Sequence, residues 1–282
     1  MNTSAEIQPV DYLILGHITR DITPNGSRLG GTAAFSALLA KRLGIEVGLV
    51  TSTGPGLNLN PLSGIPMVNV PAGQSTTFEN RYIRSGRRQI IHQLAEPLKY
   101  DHIPRPWRSA RLVHLAPVAG EINPCLIDRF PTSCLGCTLQ GWLRHRDSSG
   151  SVRAKPLPAC FSSAPPDSAA VLSQEDIGGE EQDIDRLLPL FTHLVVTKGK
   201  AGADIYSGGK IIPVDTTPRE ETDPTGAGDI FAAAFFIGLF LQGTPLLDAA
   251  HWATSLAAKS VRRVGIAGVP NTMELLNMHE VQ

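Results

Sequence analysis

The sequence predicts a three-layer α/β fold, in which helices cover both faces of a mostly parallel sheet and a small β-strand lid is added. Short apolar, β-branched runs recur along the chain, for example at residues 12–15, 47–51 and 194–197. These runs lack polar alternation, which is typical of strands buried on both faces, as in parallel sheets. Helical stretches such as residues 32–43 and 228–241 lie between them. Strands that alternate with helices indicate a layered α/β architecture.

Two polar segments interrupt this alternation. Residues 74–95 are predicted to form two extended arms around a turn, and residues 17–30 hold a Pro24-Asn25-Gly26 turn between shorter arms. Hairpins this polar are not expected inside a buried sheet. We therefore predict that about residues 17–30 and 74–95 form a β lid over the ligand site. The alternative is two unrelated surface hairpins.

Length and charge limit the classes of function. The 282 residues are few for two full domains, so residues 1–282 are expected to form one domain with an elaboration. Basic residues (25) nearly balance acidic residues (26), and no run of like charges occurs. Nucleic acids and anionic membranes attract clustered Lys and Arg, so neither is expected as the main partner.

The sequence predicts neither a signal peptide nor a membrane-spanning helix. The first ten residues lack a basic stretch and an apolar core, and the longest apolar run, residues 230–241, is about half the length of a membrane span. The four cysteines have neither disulfide spacing nor the paired knuckles of a zinc site. We expect a cytoplasmic protein, either a monomer or a homodimer.

The strongest local signal is DPTGAGD at residues 223–229, which leads directly into an apolar helix. A glycine-rich turn at a helix start leaves backbone N–H groups without helical partners, and the helix dipole adds partial positive charge there. Such a turn predicts an anion site. Gly226 and Gly228 are expected to let the backbone approach a phosphate closely, because neither carries a Cβ atom.

Asp229 follows this turn in the first turn of the helix. A carboxylate beside a bound phosphate is unfavourable unless it takes part in the chemistry. A base at this point can take the proton of an attacking hydroxyl while the amides hold the developing charge. The alternative is that Asp223 or Asp229 simply caps the helix. Neither a P-loop nor a dinucleotide fingerprint occurs elsewhere in the sequence.

The sequence DPTGAGDIF resembles the C-terminal signature of the ribokinase-like PfkB carbohydrate kinases, and weaker motifs follow in the family's order. Residues 16–21 resemble a G-x-x-x-x-D element whose aspartate, here Asp21, binds substrate hydroxyls. Gly30 and Gly31 resemble the di-glycine hinge between lid and body. Residues 197–202 resemble a T-x-G-x-x-G turn beside the nucleotide.

The resemblance implies a ribokinase-like sheet with a β lid, ATP as phosphate donor and Mg²⁺ as its metal. It implies that Asp229 is the catalytic base and that Gly226, Ala227 and Gly228 form the anion hole. The remaining site residues it implies are, for the acceptor substrate, Asp21, Gly30 and Gly31; for the nucleotide, Thr197, Gly199, Gly202 and Thr225; and for the metal, Glu175 or Asp176. By its position, Lys198 could also reach the nucleotide phosphates, and the alternative is a solvated loop lysine. Arg144 could face the cleft and bind the substrate.

Two departures from the family pattern concern the substrate and the metal. Phe35 stands where the family often has an asparagine that holds the sugar, and the family's N-x-x-E element is present only as SQED at residues 173–176. Phe35 and the QGWLR stretch at residues 140–144 resemble the inositol-kinase-like branch. The acceptor is therefore expected to be a sugar, a nucleoside or a cyclic polyol such as myo-inositol.

Two other classes of function are alternatives to a kinase. A non-catalytic ligand sensor could keep the fold, but it has no need of a base such as Asp229. A dehydrogenase on a nucleotide-binding sheet would require the dinucleotide fingerprint that the sequence lacks.

Overall fold

A computed structural model describes residues 7–83, 86–158, 161, 164–177, 181–217 and 219–279. The strands within these ranges are β1 (Tyr12–Leu15), β2 (Thr19–Thr23), β3 (Gly26–Gly30), β4 (Val47–Thr53), β5 (Met67–Pro71), β6 (Thr77–Ile83), β7 (Gly86–Gln93), β8 (Leu112–Leu115), β9 (Cys134–Thr138), β10 (Arg144–Arg146), β11 (Val152–Ala154), β12 (Ser168–Ser173), β13 (His193–Thr197), β14 (Ala203–Ser207) and β15 (Lys210–Val214). The α-helices within them are α1 (Thr32–Arg42), α2 (Glu181–Leu187), α3 (Ala227–Phe236), α4 (Leu246–Ser260) and α5 (Thr272–His279).

The central sheet contains nine strands in the order β15-β14-β13-β12-β9-β8-β1-β4-β5. The strands from β13 to β5 run parallel, whereas β14 and β15 are antiparallel at one edge. The continuous apolar runs β1 and β8 are buried along their whole length. The mostly parallel sheet predicted from these runs is therefore confirmed.

Helices pack on both faces of this sheet and divide the core into two layers. On β1, Tyr12 and Ile14 belong to the layer that contains α1, α3 and α4. The alternate residues Leu13 and Leu15 belong to the other layer, which contains α2 and several 3₁₀ turns. Successive side chains of a strand point to opposite faces, so one short strand contributes to both layers. The three-layer architecture is confirmed.

A second sheet lies outside the core and has the strand order β3-β2-β6-β7. Both predicted hairpins are present, and a parallel pairing of β2 with β6 joins them into this one sheet. The alternative of two unrelated hairpins is therefore wrong. The strands β10 and β11 form a further small hairpin. Residues 84 and 85, where the turn of the second hairpin is predicted, lie outside the described residues.

The carboxyl ends of the parallel strands bring the predicted site residues to one edge of the sheet. The chain leaves β1 toward Asp21, β12 toward Asp176, and β13 toward Gly199. Ligands of open α/β sheets bind at this edge. In the described part of the chain, no helix has the length and apolar character needed to cross a membrane.

Candidate active site

The turn before α3 is shaped by one glycine and one buried ring. Gly226 is the N-cap of α3 and has φ +85° and ψ −4°, a left-handed conformation that favours glycine. A Cβ atom at Gly226 would lie 2.2 Å from Cε1 of Phe35, which is itself buried. The protein itself therefore excludes a side chain at Gly226. The packing of Phe35 is thus a second reason for glycine here, and close approach of a phosphate stays a prediction.

Phe35, the residue that departs from the family pattern, has a structural role. In place of an asparagine side chain directed at a sugar, it supplies a ring that is 1% exposed and packs under Gly226. The ring packs against the turn that precedes α3 and thereby supports its conformation.

Gly228, unlike Gly226, has room for a side chain. It is exposed, its φ is not positive, and a Cβ atom placed on it would meet nothing within 4 Å.

The N–H of Ala227 donates to the carbonyl of Pro224 at 3.2 Å. Within the described residues, the amides of Gly226 and Gly228 have no protein acceptor. These two amides, rather than that of Ala227, are therefore available to an anion.

Asp229 is the third residue of α3 and remains partly exposed. It does not cap the helix, because no side chain accepts a capping hydrogen bond at this N-terminus. Its Oδ1 instead accepts a hydrogen bond of 2.6 Å from Oγ1 of Thr32, at the start of α1. Burial raises the pKa of Asp229; the Thr32 hydroxyl and the charge of Arg144 oppose this rise, and the charge of Asp176 adds to it.

Thr32 and its neighbour Gln140 were not singled out from the sequence as functional residues. Nε2 of Gln140, which follows β9, donates to Oγ1 of Thr32 at 2.7 Å. Thr32 and Phe35 are three residues apart on α1 and so lie on one face of that helix. One side chain contacts Asp229 and the other contacts Gly226. This spacing is the sequence signal that could have identified Thr32.

Asp223 organises the front of the turn. Its Oδ1 accepts from the N–H of Thr225 at 3.0 Å, and its Oδ2 accepts from the N–H of Gly265 at 3.0 Å and from Nη1 of Arg28 at 2.8 Å. Burial raises the pKa of Asp223, but these hydrogen bonds outweigh it and leave the pKa below its ordinary value. Since Arg28 lies in β3, this carboxylate ties the outer sheet to the turn.

Asp21 lies in β2, and Oγ1 of Thr19 donates to its Oδ1 at 2.8 Å. A Cβ atom at Gly30 would lie 2.2 Å from Oδ2 of Asp21, so this glycine leaves room for the carboxylate. Burial raises the pKa of Asp21 to about 6; the Thr19 hydroxyl opposes the rise and the charge of Asp229 adds to it. The two carboxylates are thus close enough to interact across the boundary between the two sheets.

Gly31 is the N-cap of α1 and has φ +90°. A Cβ atom at Gly31 would lie 2.4 Å from the carbonyl oxygen of His17, so a side chain is excluded there. The predicted di-glycine segment thus connects β3 to α1 in a conformation that requires glycine at its second position.

A cleft of about 220 Å³ opens beside the N-terminus of α3. It is lined by three of the residues predicted to bind the nucleotide, namely Thr197, Gly199 and Gly202, together with Ala227 and Gly228. Its wall is largely apolar and includes Phe231, Ala257, Ala258 and Val261.

Two further residues predicted to bind the nucleotide make contacts within the protein. Nζ of Lys198 pairs with Oδ1 of Asp204 at 2.7 Å. The N–H of Thr225 is held by Asp223. Neither residue lines the cleft as described.

Arg144, Glu175 and Asp176 line a separate cavity of about 330 Å³. Oδ2 of Asp176 accepts from the N–H of Ser173 at 2.9 Å and from its hydroxyl at 2.7 Å, while Oδ1 accepts from Nη2 of Arg144 at 3.1 Å. Both oxygens are therefore used, and the side chain is 5% exposed. In the structure, Asp176 thus holds Arg144 in place.

The implied Mg²⁺ finds no protein cage in the described ranges, where no three His, Cys, Asp or Glu side chains are grouped to hold a metal ion. Mg²⁺ bound with nucleotides is often held mainly by phosphates and water, with few carboxylates. The prediction that Glu175 and Asp176 hold this metal therefore stays a prediction.

Comparisons with known proteins point to the same family as the sequence motifs. Residues 167–272 match the family model described as pfkB family carbohydrate kinase. The chain is 26% identical over 278 residues to a cytidine kinase of Thermococcus kodakarensis, covering 91% of this chain and 98% of that protein. It is 25% identical over 296 residues to an inositol 3-kinase of Oryza sativa subsp. japonica, covering 93% of this chain and 71% of that protein.

A solved structure with a similar fold is that of a pyrophosphate-dependent myo-inositol-1 kinase converted into a myo-inositol-3 kinase. It superposes with a TM-score of 0.77 at 15% identity and covers 96% of this chain and 99% of that one. The resemblance to the ribokinase-like PfkB kinases is therefore confirmed. The predicted enzyme class, a phosphotransferase with an alcohol group as acceptor, is confirmed with it.

Proposed function

We propose that this protein transfers the γ-phosphoryl group of ATP to a hydroxyl of a small cyclic polyol, sugar or nucleoside. The observation that carries the proposal is the position of Asp229, which follows the open amides of the α3 turn in the first turn of the helix. Only its Oδ1 is hydrogen-bonded among the described residues. Its Oδ2 is therefore available to an acceptor hydroxyl.

The reaction follows from this arrangement. The acceptor hydroxyl gives its proton to Oδ2 of Asp229 while its oxygen forms a bond to the γ-phosphorus. The bond between that phosphorus and the bridging oxygen breaks, and ADP leaves. The amides of Gly226 and Gly228 and the dipole of α3 stabilise the charge on the phosphoryl oxygens. The raised pKa of Asp229 makes its carboxylate a stronger base than an ordinary aspartate.

The donor is proposed to be a nucleotide because the cleft beside the turn has an apolar wall. Phe231, Ala257 and Val261 offer contact surface to a base, which a bare pyrophosphate would leave unused. Mg²⁺ bound to the nucleotide would neutralise phosphate charge.

The acceptor is proposed to bind between the outer sheet and the body. An ionised carboxylate can accept two hydroxyl hydrogens, so Asp21 is suited to a pair of neighbouring ring hydroxyls. The strands β2, β3, β6 and β7 form the proposed lid, at about residues 17–30 and 74–95. A lid that covers the site would exclude water and so limit wasteful hydrolysis of the donor.

The test is an acceptor panel measured by ADP release with ATP and Mg²⁺. It contains myo-inositol, ribose, fructose, adenosine and cytidine, and a parallel series replaces ATP with pyrophosphate and measures phosphate release. We expect one acceptor to stimulate ADP release strongly and pyrophosphate to be a poor donor. Acceptor-independent ADP release at the same rate, or turnover with pyrophosphate alone, would contradict the proposal.

A further inference from the structure

We propose that Thr32 and Gln140 are positioning residues that hold the Asp229 carboxylate in one orientation, with its proton-accepting oxygen directed to the acceptor. This inference rests on the proposed function of Asp229 as base. Neither residue is in the glycine-rich turn, and both are brought to Asp229 by the fold. Thr32 lies 197 residues before Asp229 in the chain, and Gln140 follows a different strand.

The contacts form an unbranched chain of hydrogen bonds. Nε2 of Gln140 donates to Oγ1 of Thr32 at 2.7 Å, and Oγ1 of Thr32 donates to Oδ1 of Asp229 at 2.6 Å. Thr32 is fully buried at the first position of α1, so its hydroxyl has no solvent to turn to. The second distance is at the short end for a hydroxyl donating to a carboxylate, which indicates a charge-assisted hydrogen bond.

Proton counting fixes the direction of this chain. A threonine hydroxyl carries one hydrogen and can accept from other donors. If the amide oxygen of Gln140 faced Thr32, the single hydrogen would be required by two acceptors at once. With Nε2 facing Thr32, the hydroxyl accepts from Gln140 and gives its hydrogen to Asp229. Both hydrogen bonds are satisfied only in this arrangement.

The consequence is a division of labour between the two oxygens of Asp229. Oδ1 is occupied by Thr32, so the incoming proton is directed to Oδ2. The Thr32 bond also stabilises the ionised carboxylate and thereby opposes the effect of burial. The other charged groups that act on Asp229 are Arg144 at the start of β10, Asp176 after β12 and Asp21 on β2.

The decisive variant is Thr32→Val, which keeps the shape of the side chain and removes its hydroxyl. Loss of a hydrogen bond to a charged group should lower kcat about tenfold or more, with little change in either KM. Because the ionised form of Asp229 loses a stabilising partner, its pKa should rise. The acid limb of the kcat–pH profile should therefore move to higher pH by about one unit.

Three further variants separate positioning from general damage. Thr32→Ser keeps the hydroxyl and should restore most of the activity and the pH profile. Gln140→Leu should act in the same direction as Thr32→Val but less strongly. If Gln140 acts only through Thr32, the double variant should be no worse than Thr32→Val alone.

Thr138→Val is the matched control. Thr138 is 4% exposed, lies two residues before Gln140, and its hydroxyl has no hydrogen-bond partner among the described residues. It should behave as the wild type. An equal loss in Thr138→Val and Thr32→Val, or an unchanged pH profile in Thr32→Val, would overturn the proposal.

A measurement without turnover separates this inference from the proposed function. The pKa of Asp229 can be measured by carboxyl ¹³C NMR titration in the wild type and in Thr32→Val. A higher pKa in Thr32→Val supports the positioning role even if no acceptor on the panel is phosphorylated. An unchanged pKa in a protein that phosphorylates its acceptor overturns the positioning role and leaves the kinase function standing.

Discussion

Residues 223–226 and 227–229 are adjacent halves of one motif, but they differ in how many contacts they make within the protein. In the first half, Asp223 accepts three hydrogen bonds and Gly226 is backed by Phe35. In the second half, Gly228 faces open space and Asp229 keeps one oxygen without a partner in the described structure. The fold thus fixes the Asp223 side chain and the Gly226 backbone conformation of the first half, whereas the second half leaves Gly228 and one oxygen of Asp229 open to a ligand.

The two aspartates show the same contrast in their acidity. Hydrogen bonds hold the pKa of Asp223 below its ordinary value despite burial, whereas burial raises the pKa of Asp229. A carboxylate stabilised as an anion is a poor base, and one that is only partly stabilised is a better base. The contrast therefore assigns a structural role to Asp223 and a chemical role to Asp229, and substitutions can test each half.

The largest effect is expected for Asp229→Asn. It removes the base while it keeps the size of the side chain, so kcat should fall by roughly 10²–10⁴. Folding and nucleotide binding should be retained, which thermal unfolding and nucleotide titration can check. Asp248→Asn, an exposed aspartate in the first turn of α4, is the control. Turnover near the wild-type rate would remove Asp229 from the chemistry.

Asp223→Ala should reduce the stability of the protein more than its catalytic activity. It leaves the amides of Thr225 and Gly265 and the guanidinium of Arg28 without their acceptor, which should cost about 2–3 kcal/mol of unfolding free energy. The carboxylate stabilises the fold while ionised, so the deficit should shrink at acidic pH as the wild-type Asp223 becomes protonated. Denaturant unfolding at pH 7 and pH 3 measures the loss of unfolding free energy and its decrease at acidic pH. A stable variant that is inactive would reverse the roles assigned to the two aspartates.

Substitution by alanine should lower the free energy of unfolding at Gly226 and raise it at Gly228. Gly226→Ala forces a left-handed residue with a Cβ into Phe35 and should destabilise the protein by about 1–3 kcal/mol. Gly228→Ala replaces an exposed helical glycine and should stabilise it by about 0.5–1 kcal/mol, while weakening nucleotide binding or turnover. Gly73→Ala, at an exposed position whose Cβ would also meet nothing within 4 Å, is the control for an added methyl group. If Gly228→Ala keeps full activity, the phosphate binds elsewhere.

The last substitution, Asp21→Asn, should change stability in a pH-dependent way. Burial raises the pKa of Asp21 to about 6, so the ionised form opposes folding and wild-type stability falls as pH rises from the unfolded value toward 6. The variant should be more stable than the wild type by about 1–2 kcal/mol at pH 8 and should gain nothing below pH ~4. Its KM for the acceptor should rise, while that for the nucleotide stays constant. A weakened nucleotide affinity would place the acceptor pocket elsewhere.

Much of the fold could be predicted because its causes are local. Continuous apolar runs such as residues 12–15 indicate strands buried on both faces, and the Pro24-Asn25-Gly26 turn indicates a hairpin. The pairing that joins the hairpins, β2 with β6, connects residues more than fifty positions apart. Such a contact depends on where the body places both hairpins, so local pattern alone does not specify it.

The sequence predicts the chemical groups of the site better than the residues that contact them. DPTGAGD identifies the turn, but the environments of Gly226 and Asp229 depend on Phe35 and Thr32, far away in the sequence. The resemblance to the family's N-x-x-E element predicts Glu175 or Asp176 as a metal ligand. Only the structure shows that Ser173 and Arg144 already use the two oxygens of Asp176.

The ion pair between Arg28 and Asp223 has a consequence for how the two substrates bind. Arg28 belongs to the proposed lid strand β3, and Asp223 holds the turn that precedes the anion site. An acceptor that shifts the lid must also alter this pair, and so must a nucleotide that shifts the turn. Coupling between two binding equilibria is reciprocal. Acceptor and donor should therefore change each other's affinity by the same factor, and loss of the Arg28 guanidinium should make their binding more nearly independent.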